Sequence, residues 1–397
     1  MKQKALFFIL TGVIVLSLAA GLSCTGKTSV SLTIENAGRW SYQFFDGYQS
    51  VPDYEQYSDP EGGFVEAVTF DTVQINGNDY LLLNFAAMSS RHNSRIFFFD
   101  TKDPLSPGFV SSIASEKQEK HGLQINYVTI SGNILYGGVF GDKGLWMVDI
   151  SNPTNPTDLG VAPLGMIQEL VVSDGYIYGM SQMNYDLPIA YIADTQNTRE
   201  IGRIDTHSRD CQLAISGHLL FIGLERTLTI YDVADPSSPQ QLGTCNLALS
   251  GNLTTELPFP QPGVIHWTNW ANIIDMQASG NYVYATFGAG GVRVIDVSNP
   301  NTPHEVAEVD IGGFAIMLTL KDNLLYMTKS NVESPTVQMS IIDVAQPESP
   351  QVLDSVTTES LFGFGGATLS HCFMRPQVVG DYVYVAGMNY LDVYKIH

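Results

Sequence analysis

One phrase recurs along this chain and constrains its fold more than any other feature. It reads GVRVIDVSNPNTP at Gly291–Pro303, GLWMVDISNPTNP at Gly144–Pro156, LTIYDVADPSSP at Leu228–Pro239 and MSIIDVAQPESP at Met339–Pro350. A divergent copy, RIFFFDTKDPLSP, spans Arg95–Pro107. Self-similarity at a fixed period implies a modular array whose units cannot bury their apolar faces alone. The best-preserved unit, Asn272–Ile311, reads as four strands: IIDMQAS, then YVYATF after the tight turn SGN, then VRVIDV after the loop GAGG, then HEVAEVDI after DVSNPNTP. Alternating β-branched and aromatic residues mark the strands, and Gly, Asn, Asp and Pro mark the turns.

The turn before the second strand can be counted independently. It begins at Asn76, Ser131, Ser173, Ser216, Ser279, Lys321 and Val379, seven times at a spacing of about 42 residues with three longer gaps. Seven four-stranded antiparallel units without a helical period predict an all-β, seven-bladed β-propeller, with six or eight blades as the alternative. The last unit stops after its third strand, LDVYKIH, so the N-terminal stretch TSVSLTIEN, Thr28–Asn36, is expected to close the last blade as its missing edge.

With SGNYVYAT ahead of it, GVRVIDVSNPNTP resembles the LVIVD repeat of exported bacterial and archaeal proteins. The resemblance covers nearly all of Gly63–His397 and is specific in the second, fourth, fifth and sixth units. The third unit, IAYIADTQNTREIG, lacks the double proline, and the seventh has Lys395 where Asp would stand. The resemblance implies a propeller, a cell-surface or envelope location and no assigned activity; it supplies no catalytic residues.

The N-terminus reads as an export signal. Lys2 and Lys4 precede the apolar run Ala5–Leu22, and Cys24 follows. The pattern resembles a bacterial lipobox, with Gly21 departing from it, and makes Cys24 the expected lipidation site; an ordinary cleaved signal or an uncleaved membrane-spanning helix is the alternative. The organisation is therefore a signal peptide over 1–23, a tether over 24–29 and the propeller over 30–397, anchored to the envelope membrane through Cys24. Nineteen basic against forty acidic residues give a net charge of −21, which disfavours nucleic acid as a partner. Cys211 and Cys245 fall on the first and last strands of one unit, roughly 14 Å apart at ordinary strand spacing, too far to bridge, so buried free thiols are expected.

In a propeller, second-to-third and fourth-to-first connections open on one face. The long stretches Ala248–Trp270, Thr357–Pro376, Ser111–Asn126, Asn184–Pro188, Asn331–Val337 and Met88–Arg95 all fall there, which points to a binding face. Candidate binding residues on it are His266, Trp267, Trp270, Phe362, Phe364, His371 and Arg375; aromatics beside polar groups suit a protein or glycan ligand. A second set, Glu169, Gln212, Asp275 and Arg375, sits near the start of first strands and is expected to ring the channel mouth. His92, His121, His207, His266 and His371 fall on the same face, but no pair has the spacing of a metal motif. The acidic loop Asp46–Gly63 does not match a helix–loop–helix calcium site. The expected function is a monomeric binding or scaffolding module without a resident cofactor or catalytic residues. The alternative is an envelope hydrolase or lyase using the channel-mouth residues.

Overall fold

The repeated turn explains itself in atomic detail. In a computed structural model of the protein, the Asp that ends each third strand accepts a backbone N–H two residues on: Asp149 from Ser151 at 2.8 Å, Asp232 from Ala234 at 2.9 Å, Asp296 from Ser298 at 2.7 Å and Asp343 from Ala345 at 2.8 Å. Three residues later a second Asn or Asp repeats the device, as Asn299 does for Asn301 at 3.2 Å and Asp235 for Ser237 at 3.0 Å. A tight turn then follows, with the Thr302 N–H bonded to the Asn299 carbonyl at 2.9 Å. Two side-chain-capped turns in succession, with Pro presetting φ, reverse the chain in the same way each time. Blade 3 has Tyr191 in the first position, and Asp194 supplies the second cap to Gln196 at 3.0 Å.

The structure describes residues 32–41, 65–87, 94–114, 125–139, 144–165, 167–181, 186–208, 211–254, 270–331, 334–361, 375–386 and 390–397. Cys24 and the segments 1–23 and 24–29 lie outside them. The described residues form seven four-stranded antiparallel sheets and no helix, a seven-bladed propeller. From inner to outer strand, blade 1 is Val65–Ile75, Asn78–Ala87, Arg95–Asp100 and Gly108–Ala114, and blade 5 is Asp275–Ser279, Tyr282–Thr286, Val292–Asp296 and His304–Val309. Blades 2, 3, 4 and 6 repeat this order. Neighbouring inner strands lie side by side all round, and the Thr72 hydroxyl donates to Gln377 at 3.1 Å across the seam between blades 1 and 7.

Blade 7 consists of Gln377–Val379, Tyr382–Ala386, Tyr390–Ile396 and, outermost, the N-terminal strand Ile34–Ser41. The chain therefore closes its ring by pairing its beginning with its end. The described part of the closing strand begins at Ile34, inside the expected Thr28–Asn36 stretch, of which 28–31 lie outside the described residues, and Thr33 and His397 also exchange both backbone bonds, at 3.2 and 2.9 Å. It bulges between Asn36 and Gly38, then aligns Arg39 with Asp392.

The core lies between blades. Ala214, Phe221, Leu228 and Ile230 of blade 4, for example, pack on Val283, Ala285 and Ile295 of blade 5. The outer rim is stitched separately. The carbonyl of Pro300 in blade 5's turn lies against Gly243 on blade 4's outer strand, where a Cβ would come within 2.5 Å of it. Gly202 meets the Pro236 carbonyl in the same way, and the Ser111 hydroxyl donates to that of Pro153. Blade 7 has no such turn, and Asp354 of blade 6 instead accepts the Ile34 N–H of the closing strand at 2.9 Å. Cys211 and Cys245 are buried free thiols.

Candidate functional site at the long-connection end of the channel

The two faces differ in how the strands are joined. On one face every first-to-second turn has two residues and every third-to-fourth connection in blades 1 to 6 has seven. On the other face connections range from two residues, 332–333, to 28, 247–274. Uniform turns are structural solutions; variable connections on a rigid ring are free to diverge. Four of the stretches expected to be loop are strand at their ends: 111–114, 186–188, 334–337 and 357–361 belong to their hairpins.

The inner strands present unpaired backbone groups along the channel, because each pairs with only one neighbour. Side chains of the preceding blade satisfy several of them. Glu169 accepts the Leu213 N–H at 2.9 Å, Asp275 accepts the Leu318 N–H at 2.9 Å, and Gln277 accepts the Leu320 N–H at 2.6 Å. Arg375, just before the short inner strand of blade 7, reaches back over two blades. Its guanidinium donates to the Leu318 carbonyl at 3.1 Å and pairs with Asp275 at 2.6 Å. The pair is the clearest polar convergence near the long-connection end.

Electrostatics extend the cluster. Burial pushes the Glu169 carboxyl up to about 8; its bond from Leu213 opposes this, the Asp275 charge adds to it and Arg375 counters it. Burial likewise raises Asp275, against the opposing Arg375 guanidinium and the Leu318 N–H. Asp71 joins them, pushed up to about 6 by burial, with the Thr72 N–H and Arg375 acting the other way. Apolar packing supplies part of that desolvation: Trp270, Ile274, Phe314, Ile316 and Met317 form a cluster beside Asp275.

Sequence reading identified Glu169, Asp275 and Arg375 and missed Asp71. Blade 1's inner hairpin is two residue pairs longer than the others, because Tyr80 rather than Asn78 stands opposite Asp100. Asp71 therefore lies level with Gln277 and Gln377, not with Asp275. Gln212 begins the inner strand of blade 4 as expected. Trp270 is not an exposed contact residue: it is buried, stacked on Phe314 with ring centroids 5.7 Å apart, and its carbonyl accepts the Ala289 N–H at 2.9 Å. His266, Trp267, Phe362, Phe364 and His371 lie outside the described residues. Among the described residues, no three His, Cys, Asp or Glu side chains are grouped to hold a metal ion.

The sequence matches the LVIVD repeat over residues 126–160, 209–252, 273–311 and 376–395. These stretches fall in blades 2, 4, 5 and 7, so blade 7 is matched although Lys395 replaces the Asp. No curated protein matches the chain. Solved structures similar to it include a functionally unknown protein from Desulfotomaculum acetoxidans, with 11% identity, TM-score 0.55 and coverage of 73% of this chain and 85% of that one. A chain of the mitotic checkpoint complex has 14% identity, TM-score 0.56 and coverage of 84% and 91%. The N-terminal domain of Nup159 has 11% identity, TM-score 0.52 and coverage of 94% and 97%. At these identities the likeness extends to the fold alone.

Proposed function

We propose that this LVIVD-repeat propeller is a binding or scaffolding module, exported and anchored in the cell envelope through a lipid on Cys24, that acts as a monomer. Its ligand is a protein or a glycan held by the long-connection face. The observation that carries this reading is the difference between the faces: two- and seven-residue turns on one, connections of two to 28 residues on the other. Two of those connections, 247–274 and 362–376, carry His266, Trp267, Phe362, Phe364 and His371 in their sequence. Replacing residues 256–268 by a short Gly-Ser linker tests it, since Thr254 and Trp270, which bridge to each other, are kept. The variant should melt with wild type yet lose ligand capture from envelope extract; equal capture removes this connection from the site.

A second reading, an envelope hydrolase or lyase, draws on one observation. Glu169 is held protonated into the neutral range beside the Asp275–Arg375 pair, a state suited to a general acid. Against it, each of these carboxylates already spends an oxygen on a neighbouring inner strand. Turnover of an envelope glycan or ester by the wild type, abolished in Glu169→Gln, would favour the enzyme.

A further inference from the structure

The direction of the closing strand fixes where the anchor leaves the ring. Ile34 pairs with Ile396 and Ser41 with Tyr390. Within blade 7, Tyr382, which follows the two-residue turn at Gly380–Asp381, pairs with Lys395, and Ala386 pairs with Leu391. Ile34 therefore stands at the uniform short-turn face and Ser41 at the long-connection face. Leu32, two residues before Ile34, lies on the short-turn side at the outer edge of blade 7.

We infer that the anchored propeller turns its short-turn face to the membrane and presents the long-connection face to the aqueous side. This rests on the lipid anchor at Cys24 proposed above. Seven residues, 25–31, separate Cys24 from Leu32. Fully extended, the eight steps from Cys24 to Leu32 reach about 28 Å. Inverting the ring would require that chain to climb the height of the closing strand, about 26 Å over the eight rises from Thr33 to Ser41. Almost no slack would remain, and a taut chain loses most of its conformational freedom. The short-turn face itself carries carboxylates in blade after blade, among them Asp149, Asp232, Asp235, Asp296 and Asp343. They repel an anionic leaflet and hold the face off the surface within the tether's reach.

The test uses the full, processed chain in phosphatidylcholine vesicles containing a headgroup-spin-labelled lipid. In a Cys372→Ser background, with Cys211 and Cys245 buried, a fluorescent label is placed through Ser298→Cys on the short-turn face or Pro163→Cys on the long-connection face. Quenching at position 298 should exceed that at 163 at least about three-fold, since the faces are separated by about 26 Å along the blade. Inserting about twenty Gly/Ser residues after Thr28 should erase most of the difference, because a flexible linker of that length lets the body turn over. Equal or reversed quenching with Cys24 acylated overturns the orientation and leaves the anchor standing. A difference that survives the longer linker also overturns it, by showing that the tether is not what orients the ring. Mass analysis of the N-terminal peptide reports the anchor separately, and an unmodified Cys24 overturns both.

Discussion

Arg39 and Asp392, 353 residues apart in sequence, form a two-pronged ion pair that locks the closing strand into blade 7: Nε to Oδ1 at 2.6 Å and Nη2 to Oδ2 at 3.2 Å. Asp392 is fully buried and the Arg39 side chain about one-third exposed. The same third-strand position carries Trp146, Arg293 and Ser340 in other blades, and each reaches its own outer strand by different chemistry. The Trp146 indole donates to Asp158 at 2.9 Å, Arg293 pairs with Glu305 and Glu308 at 2.7 Å each, and Ser340 shares a 2.8 Å hydroxyl bond with Ser355. A hydrophobic edge could take any strand; a buried carboxylate accepts only the one that brings a cation.

Removing that cation should therefore cost more than an exposed salt bridge. Arg39→Met leaves the Asp392 charge buried and is expected to lower unfolding stability by roughly 2–4 kcal/mol, below the fully buried range because Arg39 keeps some solvent contact. Arg39→Met with Asp392→Leu should recover at least half of the loss, since both charges are then gone. Urea unfolding of the two variants measures this; a single variant within about 0.5 kcal/mol of wild type would show that the pair does not hold the strand.

The capped turns make a smaller and more uniform contribution. Asp296→Ala removes the acceptor of the Ser298 N–H and should destabilise by about 0.5–1.5 kcal/mol. The Ser298 hydroxyl, with that backbone N–H beside it, holds the Asp296 carboxyl below its usual range. Asp296→Asn keeps the acceptor and should retain most of the stability. Thermal melts of the two variants distinguish capping from charge; equal losses would indicate that the charge alone matters.

The propeller was legible because its code is local and repeated. Asp296, Asn299 and the prolines that follow, Pro300 and Pro303, fold their own turn, so counting turns counted blades. What the sequence concealed depends on contacts made across the fold. The closing strand runs past the expected Asn36 through Ala37 and Gly38, residues of low strand propensity, because Arg39 meets Asp392 beyond them; packing overrode propensity. Asp71 stands four residues before the end of its inner strand, as Asp275 does in its own, so the spacing to the turn marks it; only its level in the channel, shifted by two pairs, needs Tyr80 to be seen opposite Asp100. Trp270 read as an exposed aromatic because its stacking partner, Phe314, lies 44 residues away in the next blade.

The seam between blade 4 and blade 5 admits no side chain at position 243. A methyl there would stand 2.5 Å from the Pro300 carbonyl oxygen and 2.8 Å from the Asn301 carbonyl carbon, both backbone atoms. Gly243→Ala should cost about 1–3 kcal/mol through overpacking. The equivalent residue of blade 5 is Ala307, so Ala307→Gly provides the control and should cost no more than about 1 kcal/mol. Differential scanning calorimetry is sufficient; an undisturbed melting temperature in Gly243→Ala would mean the outer rim yields without penalty.

The channel acids predict an unusual pH profile. A carboxyl whose folded pKa is raised binds its proton more tightly in the folded state, so folding is favoured at low pH. That advantage is lost as pH climbs from the unfolded value to the folded one. For Glu169 the window runs from about 4.5 to about 8, and for Asp71 from about 3.8 to about 6. Stability should accordingly fall between pH 5 and pH 8, where many proteins are near their maximum. Glu169→Gln keeps an oxygen for the Leu213 N–H and carries no charge at either pH. It should match wild type at pH 5 and exceed it by about 1–3 kcal/mol at pH 8. Urea titrations at the two pH values decide the matter: an equal effect of the substitution at both would mean that Glu169 titrates at an ordinary pKa and that water reaches it freely through the channel.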